Sequence, residues 1–171
     1  MSDERKILKL QPELKAYARA VADDVDIADD LVQEATVRAL AHDKAPSAEK
    51  DLRHWLFRVI RNLYVDSKRR MKVRTEYSVS FKRLYDEQPI FDDGPLTNIL
   101  LRQALESLSS EHREILFLVD IMGMSYAEAA DLTGVAKGTV MSRLSRARRA
   151  LLEQLDQSNV TPIDKKPSRK R

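Results

Sequence analysis

The chain has 171 residues, 33% of them charged and 6% aromatic, so its core must come mainly from Leu, Val, Ile and Ala, in one domain or two small ones. It has no cysteine, which excludes disulfides, thiolate metal sites and thiol redox chemistry. No apolar run approaches a membrane span and residues 1–11 lack a signal-peptide core, so the expected place is the cytoplasm, without membrane insertion.

Pro12 is expected in the first turn of a helix that buries Leu14, Tyr17 and Val21. An Asp-rich segment then caps a second helix, about Ile27 to Ala41, with Leu31, Ala35 and Leu40 as inward candidates. A polar loop, His42 to Lys50, separates it from a longer helix capped by Asp51. Leu52, Trp55, Leu56, Val59, Ile60, Leu63 and Tyr64 line one face of that helix, the strongest amphipathic signal in the chain. Residues 75–97 break the pattern with Pro89, Gly94, Pro95 and five acids, and are expected to be a flexible linker. A helix with Leu100, Leu101, Ala104, Leu105 and Leu108 follows. The next, capped near Ser109 or Ser110, carries Ile115, Leu116, Val119 and Met122 and stops at Gly123. Residues 157–171 form a basic tail expected to be disordered. The expected fold class is all-α, in two small helical bundles.

Charge is distributed unevenly around a net +3. Residues 23–34 hold six acids (Asp23, Asp24, Asp26, Asp29, Asp30, Glu34) and no base. Residues 66–74 hold five bases (Lys68, Arg69, Arg70, Lys72, Arg74) against Asp66, and residues 137–150 hold five (Lys137, Arg143, Arg146, Arg148, Arg149) against no acid. Two separate basic clusters predict two contacts with a polyanion, and the acidic cluster predicts a basic partner.

The segment from Met124 to Leu152 reads as a helix-turn-helix. Ser125 and Glu128 form a capping box, and Gly134 ends the first helix in the left-handed conformation. In the second helix Val140, Leu144, Ala147 and Leu151 face inward, leaving Thr139, Ser142, Ser145, Arg146 and Arg149 outward. A polar, cationic outer face after a tight turn suits the DNA major groove, although charge alone fits a solvated surface helix as well.

With both halves in view, the chain resembles the extracytoplasmic-function sigma factors of bacterial RNA polymerase. The resemblance rests on DIADDLVQEATVRAL (26–40) with WLFRVIRNLYVDSKRR (55–70), similar to region 2, and on residues 108–151, similar to region 4. It implies region 2 over 10–74, for core polymerase binding and −10 recognition, and region 4 over 98–156, for −35 recognition. Asp30, Gln33 and Glu34 would dock on the β′ clamp helices of core polymerase. His42 and Asn62 would receive a flipped base of the −10 element, with Lys68, Arg69 and Arg70 on nearby phosphates. Thr139, Ser142, Arg143, Ser145, Arg146 and Arg149 would meet the −35 element, and the apolar surface of region 4 the β-flap tip. Arg143 and Arg148, with Thr139, are read as phosphate clamps. The resemblance implies promoter DNA, core RNA polymerase and an anti-sigma factor as partners, and no metal or other cofactor. Asn62 can equally be a surface amide, and Trp55, inside the apolar stripe, reads as core.

Rival readings have less to stand on. His42, His54 and His112 are scattered without a catalytic motif, and the acidic cluster lacks the alternating ligands and glycine of an EF-hand loop, which argues against an enzyme. A stand-alone helix-turn-helix regulator leaves the DLVQE and WLFRVIRN blocks unexplained. A decoy that only binds an anti-sigma factor does not call for the basic clusters.

Overall fold

The structure is a computed structural model, and it describes residues 3–41, 45–74 and 95–159. Among these residues every regular element is helical: α1 (Asp3–Val21), α2 (Val25–Ala41), α3 (Glu49–Arg74), α4 (Pro95–Ser107), α5 (Ser110–Leu116) continued by a π turn (Phe117–Ile121), α6 (Tyr126–Thr133) and α7 (Lys137–Asn159). The first three helices pack on one another as one bundle, and α4 to α6 pack around α7 or beside it as the second. Residues 75–94 of the expected linker and 160–171 of the expected tail lie outside the described residues.

Helix α1 begins at Asp3, so Pro12 sits in its interior and not in its first turn. Ile7 and Leu10 explain the difference, being 2% and 1% exposed. Burying two such side chains stabilises by about 1.5–3 kcal/mol each, which offsets the roughly 3 kcal/mol cost of an interior proline. Helix α2 starts at Val25 because the Asp24 carboxylate accepts hydrogen bonds from the N–H groups of Asp26 (2.8 Å) and Ile27 (3.1 Å). Leu31 and Ala35 are buried as expected, but Leu40 is 54% exposed. Ala39, one turn on from Ala35, takes the inward position instead.

Helix α3 begins at Glu49, ahead of Asp51, and buries Leu52, Leu56, Ile60 and Tyr64, with Trp55, Val59 and Leu63 half-buried beside them. Phe57, off that stripe, is fully buried as well. Its ring stacks on Tyr17 at 4.4 Å between centroids and meets Phe117 edge-on at 6.2 Å. Helix α3 therefore buries two faces, and the second points at the other bundle.

Ser109 caps α5 by accepting from the His112 N–H. The run then widens into the π turn, where the Met122 N–H reaches the Phe117 carbonyl at 2.9 Å, before Gly123 turns the chain at φ 67°. All residues from Arg113 to Leu118 are buried, so this segment has no solvent face. Ala104 of α4 is buried, with Leu108 just past its end, while Leu100, Leu101 and Leu105 remain partly exposed.

The two bundles share one core. Helix α1 packs on α5, α3 touches α6, and the buried residues of both halves form one connected cluster centred on Tyr17, Phe57 and Phe117. Phe57→Ala is therefore expected to cost about 3–5 kcal/mol and to destabilise both bundles together. Urea unfolding followed by far-UV circular dichroism and by probes in each bundle checks this. A variant that loosens only the first bundle would contradict a shared core.

Candidate functional site

Two buried charges of α5 organise the junction between the bundles. The Glu114 carboxylate accepts from the Tyr17 hydroxyl at 2.8 Å and from Arg61 Nε at 3.1 Å. Burial pushes the Glu114 carboxyl above its ordinary range, against the opposing pull of Arg61 and Tyr17. Burial also raises the Tyr17 hydroxyl, with the Glu114 charge adding to it, so Tyr17 remains a donor. Arg113, 7% exposed, donates to the carbonyls of Leu108 (2.6 Å) and Ala20 (3.1 Å) and to Asp23 Oδ1 (2.7 Å). The same Asp23 accepts from Lys68 Nζ at 2.9 Å and from Tyr64 at 3.3 Å, so one carboxylate ties α3 and α5 to the α1–α2 turn. Burial alone would raise its carboxyl, but hydrogen bonds from Lys68 and Arg113 outweigh that and hold it below the usual range. Exposed pairs, Arg58 with Asp131 and Lys50 with Glu128, flank the junction and contribute little on their own.

Three outer surfaces carry the residues predicted from sequence. On α2, Asp30, Gln33 and Glu34 share one exposed face, and Glu34 forms an i,i+4 pair with Arg38 at 2.9 Å. Val37, one turn on from Gln33, is 59% exposed and extends this face with an apolar patch. On α3, Asn62 at mid-helix and Arg69 and Arg70 toward the far end are exposed, while Lys68 is engaged by Asp23 and lies 5.0 Å over the Tyr64 ring. His42 lies outside the described residues, so its expected place beside Asn62 is not among the observed geometry.

The third surface is the outer face of α7. Ser125 and Glu128 form the predicted capping box, which with a bond to Lys50 lowers the Glu128 carboxyl to about 2. Gly134 caps α6 at φ 67°, as predicted, and Val140, Leu144 and Ala147 are buried beneath α7. Ser142, Ser145, Arg146 and Arg149 are exposed, and Thr139 is half-buried. Ser142 turns its hydroxyl back to the Thr139 carbonyl at 3.0 Å. Arg143, expected on the DNA face, is instead 23% exposed and paired with Glu111 at 3.1 Å, because its position on the helix leans toward α5. Arg148 is likewise held by Asp120 of the π turn.

Sequence reasoning missed the junction residues Asp23, Arg61, Arg113 and Glu114. The signal was present in residues 113–118, where two charged side chains sit in an otherwise apolar stretch that leaves a short helix no polar side. No group of three or more His, Asp or Glu able to hold a metal is present among the described residues, and no described helix is long and apolar enough to cross a membrane.

Known proteins match both halves. The profile described as Sigma-70 region 2 matches residues 7–74, and that described as Sigma-70, region 4 matches residues 98–151. The ECF RNA polymerase sigma factor EcfG of Rhodopseudomonas palustris is 38% identical over 146 residues, covering 85% of this chain and 80% of that protein. The chain belongs to the ECF sigma factors. A second such relative, SigL of Mycobacterium tuberculosis, is 35% identical over 85% of this chain and 84% of its own length. Among solved structures, the sigma factor RpoE of Bartonella quintana, crystallised with the anti-sigma factor NepR, superposes with a TM-score of 0.74 at 32% identity, over 90% of this chain and 96% of that one. The match spans both bundles of this ECF sigma factor.

Asp23 supplies a pH test of the junction. Its carboxyl is lowered in the folded protein, so its contribution is complete above the unfolded value of about 3.9 and is lost as pH falls through the lowered one. Asp23→Asn is expected to cost about 1 kcal/mol at neutral pH, discounted because the side chain is half exposed. The difference from wild type should shrink below about pH 4, measured by urea unfolding across pH. A difference that grows on acidification would rule out this assignment.

Proposed function

We propose that this ECF sigma factor binds core RNA polymerase, reads the −35 and −10 promoter elements and nucleates strand opening, in the cytoplasm and without catalytic chemistry of its own. One observation carries the reading. A single chain presents an exposed acidic face on α2 and, on α7, a helix-turn-helix surface with Ser145, Arg146 and Arg149 open to solvent. Asp30, Gln33 and Glu34 would meet the β′ clamp helices, with Val37 as an apolar anchor on the same face. Asn62, together with His42, would hold the flipped −10 base, and Lys68, Arg69 and Arg70 would neutralise nearby phosphates, which makes binding salt-dependent. Thr139, Ser142, Ser145, Arg146 and Arg149 would reach the −35 element. Arg143 and Arg148, engaged by Glu111 and Asp120, act as struts of the second bundle. The apolar surface of region 4 would meet the β-flap tip.

The shared core sets a condition on this function. Elements named −35 and −10 lie about 25 base pairs apart, or about 85 Å at about 3.4 Å per base pair. A folded chain of this length has a radius of gyration of about 16 Å and a diameter of about 40 Å. The two readers must therefore separate on a promoter, and the covalent length of residues 75–94 allows up to about 70 Å between them. The closed arrangement is the state that an anti-sigma factor would hold. The likeness to RpoE of Bartonella quintana, solved with its anti-sigma factor, supports control of that kind here.

Reconstitution with bacterial core polymerase and a promoter pool tests the proposal. Promoter-dependent transcripts are expected, and Arg146→Ala or Arg149→Ala should reduce initiation by about 5- to 100-fold, in line with one lost base or phosphate contact. A D30A/E34A double variant should lose core capture while still binding duplex DNA. Duplex binding without core capture would instead favour a stand-alone regulator, and core capture without transcripts a decoy.

A further inference from the structure

The outward face of α7 is not uniformly polar. Met141 is 51% exposed there, while the core side of the same turn is filled by Val140 and Leu144 at 0% and 2%. Its neighbours along the helix surface are Lys137, Gly138 and Ser145, with Ser142 beside it. Gly138 has no reason internal to the fold. Its φ is not positive, and a Cβ built on it would meet nothing within 4 Å. Glycine in a helix is generally less favourable than alanine, so a side chain here would be free to add helix stability. The bare Cα of Gly138 and the exposed side chain of Met141 are surface neighbours one turn apart, with open space over Gly138 and with Lys137, Ser142 and Ser145 next to them.

An exposed apolar side chain beside an open glycine, on a helix whose outer residues include Lys137, Arg146 and Arg149, suits a small apolar group inside an anionic surface. In the DNA major groove only thymine offers one, its C5 methyl, with phosphates on either side for the cations. Residues near the start of a recognition helix are those that reach base edges, and Met141 is in the second turn of α7. The unbranched thioether side chain is adaptable and polarizable, suited to covering a methyl without a fixed register.

We propose that Met141 is a specificity-determining residue of the DNA reader, seating the C5 methyl of a thymine in the space that Gly138 leaves open. This rests on the reading of α7 as the −35 recognition helix. Burying one methyl corresponds to about a fourfold preference for thymine over the same base without it.

The test selects duplexes from a random pool with the full-length protein on core polymerase. Each thymine of the selected upstream element is then replaced singly by deoxyuridine. At one position wild type should lose about fourfold in affinity, while Met141→Ser should be indifferent to the same replacement. Gly138→Ala should weaken binding to the thymine duplex with an unchanged or higher melting temperature, which separates occlusion of the space over Gly138 from misfolding. The proposal is overturned if every thymine tolerates deoxyuridine, or if Met141→Ser keeps the methyl preference. It is also overturned if Met141→Ser weakens only polymerase capture, which would assign Met141 to a protein contact. Failure to select any upstream element would defeat the recognition-helix reading itself, a result distinct from a selected element insensitive to the methyl.

Discussion

Arg113 and Glu114 lie side by side at the start of a segment with no solvent face, and both draw side-chain partners from the other bundle. An unpaired charge at such depth would cost several kcal/mol. Glu114 is met by Tyr17 and Arg61, and Arg113 by Asp23 and the Ala20 carbonyl, all from the first bundle. Two small bundles, each too small for a generous core, thereby become one folded unit. The aromatic group of Tyr17, Phe57 and Phe117 supplies the apolar area, and the charged pairs fix the register in which the surfaces meet.

Most of the helices were legible because their signals are local. The Ser125–Glu128 capping box, Gly134 and the Leu52-to-Tyr64 stripe each depend on residues a turn or two apart, and all appear as read. What escaped depends on contacts distant in sequence. The start of α1 is decided by Ile7 and Leu10 reaching the core, and the interior place of Pro12 follows. Phe57 escaped because it breaks the single-stripe pattern, its partners lying on α1 and in the π turn. The inward exchange of Leu40 for Ala39 is a one-residue change of helical phase, finer than the apolar spacing of α2 specifies.

The site residues were legible in kind more than in duty. Asp30, Gln33 and Glu34 on α2 and Ser142, Ser145, Arg146 and Arg149 on α7 are exposed, while Thr139 is half-buried. The arginines of α7 divide in a way that charge counting does not reveal. Arg146 and Arg149 point outward, whereas Arg143 and Arg148 are engaged by Glu111 and Asp120. Asp120 reaches Arg148 from the π turn, an irregularity with no signature in residue type. Two of these four arginines are therefore paired with α5 and the π turn, and the other two stand open to solvent.

Because residues 75–94 join the two halves covalently, closure of the junction is a unimolecular event. Its equilibrium does not change on dilution, unlike that of a dimer of the same surfaces. Tethered surfaces meet each other at an effective concentration on the order of millimolar. A ligand that opens the chain must overcome that local concentration, and one that keeps it shut needs only to add to it. Cutting the chain anywhere within 75–94 would turn the same contacts into a bimolecular equilibrium, governed by the abundance of the two fragments.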